Sequence, residues 1–273
     1  MIRAMRLADI PAAMRLKEAA GWNQIEQDWA NVVAMEPEGC WVEELDGEVV
    51  GSTTAICYGQ DLAWIGMVLV APAFRGRGLA RGLMEHALRW LEGRGVRQVK
   101  LDATDMGRPL YEKLGFRDER LVERWLGLRQ EGGPPAPGRL SLPLPQIAAL
   151  DRETFGVDRT RLLGRLLEVF PGQGVWEADG FILGRPGSNA YFLGPCAAAD
   201  AQVAKRLISA LVLRTQTKSF FWDLFPDVPA AVGLARELGF ERRRQLVRMA
   251  LRAETPLMGR PERVFGAAGF EYG

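Results

Sequence analysis

Over the first 128 residues the spacing of apolar and polar positions changes often enough to mark out elements. Asp9, with Pro11 just behind it, starts a helical stretch that runs to about Ala20. A second helical stretch, around Ile25–Met35, follows Gly21-Trp22-Asn23 and stops at Pro37 and Gly39. Trp41–Leu45 and Val49–Tyr58 read as strands and flank Asp46-Gly47, a strong two-residue hairpin signal. Leu62–Val70 is a mostly apolar run, a third strand. Leu79–Leu91 returns to a helical period, Val96–Leu101 makes a fourth strand, Pro109–Leu114 a short helix, and Phe116 to about Leu128 a closing strand. The N-terminus, Met1–Arg6, moves straight into the first helix. Helices, an antiparallel hairpin and a strand–helix–strand crossover predict an α/β architecture: a twisted mixed sheet with helices on both faces.

The pattern breaks at Gln130-Glu131-Gly132-Gly133-Pro134-Pro135-Ala136-Pro137-Gly138, where six of nine residues are glycine or proline, too donor-poor for a helix or a central strand. This divides the chain into 1–129, a linker 130–138, and 139–273. The second part echoes the first. Asp179-Gly180 with Gly184 repeats Asp46-Gly47 with Gly51, Pro195 before a helix repeats Pro72, and Leu238-Gly239-Phe240 repeats Leu114-Gly115-Phe116. Three echoes in the same order predict a duplicated domain.

Candidate chemistry concentrates where the apolar run Met67–Pro72 gives way to Arg75-Gly76-Arg77-Gly78-Leu79-Ala80. Glycines let a backbone approach an anion closely, and the first N–H groups of a helix point outward unpaired along a favourable dipole. Arginine adds a planar fork of donors suited to phosphate oxygens. The stretch is not a P-loop, having no Gly-x-x-x-x-Gly-Lys, and Arg81 stands where a dinucleotide fingerprint needs its third glycine. In the second half the corresponding residues are Ala197-Ala198-Ala199-Asp200-Ala201, and Ala235 matches Tyr111. Asp200 reads as a helix N-cap filling the donors an anion would take.

Arg75, Gly78 and Ala80 form Arg-x-x-Gly-x-Ala, which resembles the acyl-CoA pyrophosphate motif of the GNAT N-acetyltransferase superfamily. A second signature of that family stands about thirty residues on, at Leu110-Tyr111-Glu112-Lys113-Leu114-Gly115-Phe116. The resemblance covers roughly residues 1–128 and makes 139–273 a degenerate copy. It implies two tandem domains of one fold and an acetyl-CoA-dependent N-acetyltransferase, an acyltransferase that moves an acetyl group to a primary amine by direct attack in a ternary complex. Acetyl-CoA would be held by Arg75–Ala80 and by Val68, Leu69 and Val70, whose strand splays from its neighbour and aims an N–H at the thioester oxygen. Tyr111 would be the general acid. Thr104 stands where many members have an asparagine that meets the pantetheine arm. Trp22 and Asn23 fall on the acceptor side, for a small-molecule or peptide amine. Some members carry a base on the strand before the loop, but Leu62–Met67 holds no acid. Glu43, Glu44, Asp61 and Asp102 lie near in sequence, and none is nominated. The missing base also keeps a different class open, an acyl-CoA-binding regulatory protein with vestigial catalysis.

Composition adds exclusions. The 273 residues carry 35 basic and 34 acidic side chains, so no global field recruits nucleic acid or a membrane. Glu241-Arg242-Arg243-Arg244 reads as a solvated strand end. Cys40, Cys57 and Cys196 are scattered, and His86 is the single histidine, so neither a metal site nor a disulfide framework is expected. No run is long enough to span a membrane, and the expected location is cytoplasmic. The second half then shapes a cleft, supports a homodimer or buries a face of the first. The glycine- and aromatic-rich end, Phe265–Gly273, is either disordered or a lid over the first domain.

Overall fold

The computed structural model describes residues 1–129, 143–252, 257 and 259–273. The Gly/Pro segment 130–138 lies outside the described residues. The fold is α/β, and the chain forms two compact units.

Unit 1 takes Met1–Asp118, the stretch that begins at Met249, and Glu271–Gly273. Its elements are β1 (Ile2–Ala4), α1 (Ile10–Ala19), α2 (Glu26–Met35), β2 (Cys40–Leu45), β3 (Glu48–Tyr58), β4 (Leu62–Val70), α3 (Leu79–Gly93), β5 (Gln98–Ala103) and α4 (Arg108–Lys113). The strands lie in the order β1-β2-β3-β4-β5, antiparallel as far as β4 and parallel between β4 and β5. Asp46-Gly47 makes the β2–β3 turn with φ of 51° and 81°, the two positive values that hairpin geometry favours. Helix α3 packs on one face of the sheet, where a Cβ on Gly51 would stand 3.1 Å from Leu83 and Trp41 meets Trp90 edge-on. Alternation turns Ile56, Tyr58 and Trp64 to the other face.

Two local expectations give way. Residues 2–4 form a strand, paired Ile2↔Glu43 to Ala4↔Trp41, too short for its alternation to be read. Asp9 does not cap α1. Its carboxylate accepts the Arg6 N–H (2.7 Å) and pairs with Arg3 (2.8 Å), whose guanidinium also holds Glu44 (2.7 Å). Hydrogen bonding from Arg3 holds the Asp9 carboxyl below its ordinary range.

Unit 2 takes Glu119–Arg248 and the stretch that ends at Phe270. It contains most of β6 (Arg117–Leu128), then α5 (Leu144–Phe155), α6 (Thr160–Val169), β7 (Gly174–Glu177), β8 (Gly180–Arg185), β9 (Tyr191–Ala198), α7 (Ala201–Arg214), β10 (Ser219–Leu224), α8 (Pro229–Glu237), most of β11 (Glu241–Leu251), and β12 (Val264–Gly266). The order is β11-β6-β10-β9-β8-β7, with β12 on β9. Pro195 lies near the end of β9 and precedes α7, as Pro72 precedes α3. The core gathers Leu193, Leu207, Phe220, Trp222 and Phe240.

Each half thus gives away part of its last strand. Strand β6 runs antiparallel to β10, fixed by buried Arg124, whose guanidinium takes both oxygens of Asp223 at 2.8 and 2.7 Å. Removing one partner of such a pair costs roughly 3–5 kcal/mol. Met249–Leu251, the end of β11, counts with unit 1, where Leu251 packs 3.2 Å from where a Cβ on Gly115 would be. Among the described residues no helix is long and apolar enough to cross a membrane, and no His/Cys/Asp/Glu group could hold a metal.

Candidate active site

The site of unit 1 begins with a fault in the sheet. The β3–β4 register passes from Thr54↔Gly66 to Ser52↔Leu69, so Met67 and Val68 together face the single residue Thr53. Met67 has φ of 53°, unusual for a side chain with a Cβ, and strain of this kind gathers at functional sites. Buried Ser52 donates its hydroxyl to the Met67 carbonyl at 2.8 Å. The bulge takes Met67 and Val68 out of the regular ladder, and pairing with β3 resumes at Leu69 and Val70. On the other edge, β4 pairs with β5 from Leu62↔Gln98 to Trp64↔Lys100, and no pairing further along is found among the described residues. Val68, Leu69 and Val70 therefore lie beyond the point where the two strands part.

Strand β4 leads through Arg75–Gly78 into α3. Gly76 and Gly78 have φ of 76° and 80°, and a Cβ on either would meet nothing within 4 Å. The positions are open but need glycine's backbone. No side chain caps α3, so its first N–H groups, on Leu79 and Ala80 onward, stay available to an anion. Arg75 folds back to donate to the Val70 carbonyl at 3.1 Å, and Arg77 lies 5.0 Å over the Phe74 ring. Both are exposed at the loop surface.

Tyr111 sits on α4, buried, with its ring edge-on to Phe116. Gly107 makes room for it, since a Cβ there would lie 2.9 Å from the ring. Among the described residues its hydroxyl has no hydrogen-bond partner, and burial pushes the phenol well above its ordinary range. It stays protonated. Thr104 accepts the Gly107 N–H through both its hydroxyl (3.1 Å) and its carbonyl (3.0 Å), which fixes the start of α4. Trp22 is half-buried and Asn23 buried, both on the connection between α1 and α2.

Three of the four acids near this site in sequence are engaged elsewhere: Glu44 with Arg3, Asp61 with Arg97, and Glu43 with the N-terminal ammonium. His86 stacks edge-on against Trp41, and burial with the neighbouring Arg89 lowers its pKa, so it is a neutral packing group. Sequence reasoning missed Ser52 and Met67, although Gly66 inside a strand pattern signals a bulge.

Unit 1 thus contains a strand that parts from its neighbour, an uncapped helix behind a basic glycine turn, and a buried protonated phenol. The sequence model of the Acetyltransferase (GNAT) family matches residues 7–116, and that of an Acetyltransferase (GNAT) domain matches 147–266. An acetyltransferase of Pectobacterium atrosepticum is 32% identical over 124 residues, 42% of this chain and 86% of that protein. The holothin acyltransferase of a Pseudoalteromonas strain is 25% identical over 202 residues, 70% of this chain and 67% of the relative. The crystal structure of a candidate acetyltransferase from Pyrococcus horikoshii matches with a TM-score of 0.84 at 21% identity, over 100% of this chain and 95% of that one, a likeness of fold. The chain belongs to the GNAT acetyltransferase family, carries two copies of its domain, and is an acyltransferase.

Proposed function

We propose that unit 1 transfers an acetyl group from acetyl-CoA to a primary amine by direct attack, in a ternary complex. The observation that carries this is the open, uncapped start of α3 placed directly behind the bulged end of β4. The residues present fit a nucleotide diphosphate: residues 71–80 include no acidic side chain, Gly76 and Gly78 adopt positive φ, and Arg75 and Arg77 stand in the turn. The N–H groups of Gly76, Gly78, Leu79 and Ala80 grip the phosphates, and Arg77 adds charge. Val68–Val70 pair with the extended arm, and a backbone N–H freed by the bulge points at the thioester oxygen. A fixed donor aimed at growing negative charge is worth about 3 kcal/mol.

Acceptor nitrogen forms a bond to the carbonyl carbon as the carbon–sulfur bond breaks. Tyr111, which enters the step protonated, passes its proton to the departing sulfur and regains one through water from the proton released by nitrogen. The acceptor, a small molecule or a peptide, enters past Trp22 and Asn23. Burial holds the Cys40 and Cys196 thiols well above their ordinary range, which disfavours a covalent acyl-enzyme on either. The test is release of free thiol from acetyl-CoA by the purified chain with a panel of primary amines. Release above background with at least one amine supports the reading; none with any amine overturns it.

A further inference from the structure

The last residues of the chain belong to unit 1 and fold against it, on the sheet face opposite α3. Gly273 rests on Trp64, where a Cβ would come within 2.7 Å of the indole. Trp64, opposite Lys100, is the last β4 residue found paired with β5, so this segment reaches the point where the strands part. Fully buried Tyr272 accepts from the Tyr58 hydroxyl at 2.6 Å through its carbonyl, and its own hydroxyl stands 3.4 Å from an Asp28 carboxylate oxygen. The other Asp28 oxygen accepts the Ile25 N–H at 2.9 Å. Glu271, also buried, accepts from Nε2 of Gln24 at 2.7 Å.

That last bond has a chemical consequence. A carboxylate only accepts, so Glu271 fixes which end of the Gln24 amide faces it. Oε1 of Gln24 is thereby turned away, buried and without a partner among the described residues. An acceptor oxygen left so has given up its hydration with nothing in return, and a buried group of this kind calls for a partner. Gln24 directly follows Trp22 and Asn23.

We propose that Oε1 of Gln24 receives an N–H of the acceptor amine, and that Glu271 is the positioning residue that orients it. This rests on the acetyl-transfer reading above and adds the atom that recognises the amine. Glu271→Gln removes the constraint, because an amide offers both a donor and an acceptor. Gln24→Ala removes the oxygen itself. With spermidine, tyramine and glycinamide as probes, each variant should raise the KM of the best amine about tenfold or more. The KM for acetyl-CoA should stay within about twofold. The double variant should be little worse than either single one, because the two act as a unit. Calorimetry with CoA checks that every variant keeps its fold and nucleotide grip. An unchanged amine KM in both single variants, or an equal rise for acetyl-CoA, overturns the proposal. Should the wild-type chain bind CoA yet release no thiol, the transfer reading fails by itself. The proposal is then judged on calorimetric binding of the same amines to the CoA-loaded chain. No binding there, or equal binding by the variants, overturns it.

Discussion

Both units bring a bulged strand to the start of a helix, and they leave that junction differently. In unit 1 the bulge carries Met67-Val68, and α3 starts uncapped behind Gly78. In unit 2 the β8–β9 register passes from Ile182↔Cys196 to Gly184↔Leu193, so Gly194-Pro195 stand where Met67-Val68 do. Proline has no N–H, and the donor that could face an oxygen is gone. Helix α7 is closed by Asp200, whose carboxylate accepts from Gln202 and Val203 at 2.9 Å each. Strand β9 is paired with β10 up to Leu193↔Trp222, as β4 is with β5 up to Trp64. Beyond that point β12 moves in. Val264 and Gly266 pair with β9, Ala267 donates to the Asp223 carbonyl at 2.8 Å, and Trp222 donates to the Phe265 carbonyl at 2.6 Å. Even the turn after the short helix is duplicated: Phe116 donates to the Tyr111 carbonyl at 3.0 Å and Phe240 to that of Ala235 at 2.9 Å. One scaffold therefore persists in two states. Unit 1 leaves backbone groups open to a ligand, and unit 2 satisfies the same groups from within.

The comparison breaks first on stoichiometry. Calorimetric titration with CoA should give one site per chain, because β12 and Asp200 close the second; two equal sites would dissolve the distinction. Next comes the transplant Gly78→Asp, which puts the carboxylate of unit 2 at the helix start of unit 1. CoA affinity should fall about a hundredfold or more, since a like charge beside the phosphates costs several kcal/mol. Tyr111→Phe, a step toward Ala235, should lower turnover at least about tenfold in the thiol-release assay and leave CoA binding nearly unchanged. Smallest is Asp200→Ala, expected to cost about 1 kcal/mol of stability in urea unfolding through loss of the cap. It should create no CoA site, because the gap beside β9 stays filled.

Much of this was legible in the sequence, for local reasons. Strand β4 matches the run Leu62–Val70 residue for residue, because turn-forming residues bound it on both sides. The Asp46-Gly47 turn and the Asp200 cap follow from side-chain chemistry within four residues. Strand β5 starts two residues later than Val96, a boundary that packing sets. The placement of β6 with β10 is not legible, since it depends on Arg124 meeting Asp223, 99 residues away. Nor is the role of Gln24, whose partner lies 247 residues on in a stretch without hydrophobic period. The open loop at Arg75–Ala80 could be read early because its message is a backbone one, written in glycine.

The return of Met249–Leu251 and Glu271–Gly273 to unit 1 has a bearing on synthesis. A nascent chain that has emerged only as far as residue 129 still lacks the strand end beside Gly115 and the residues that cover Trp64. Domains ordinarily fold in order as they leave the ribosome. Here the earlier one stays unfinished until translation has delivered the later one, so a truncated product carries the glycine turn of residues 75–80 on an incomplete unit.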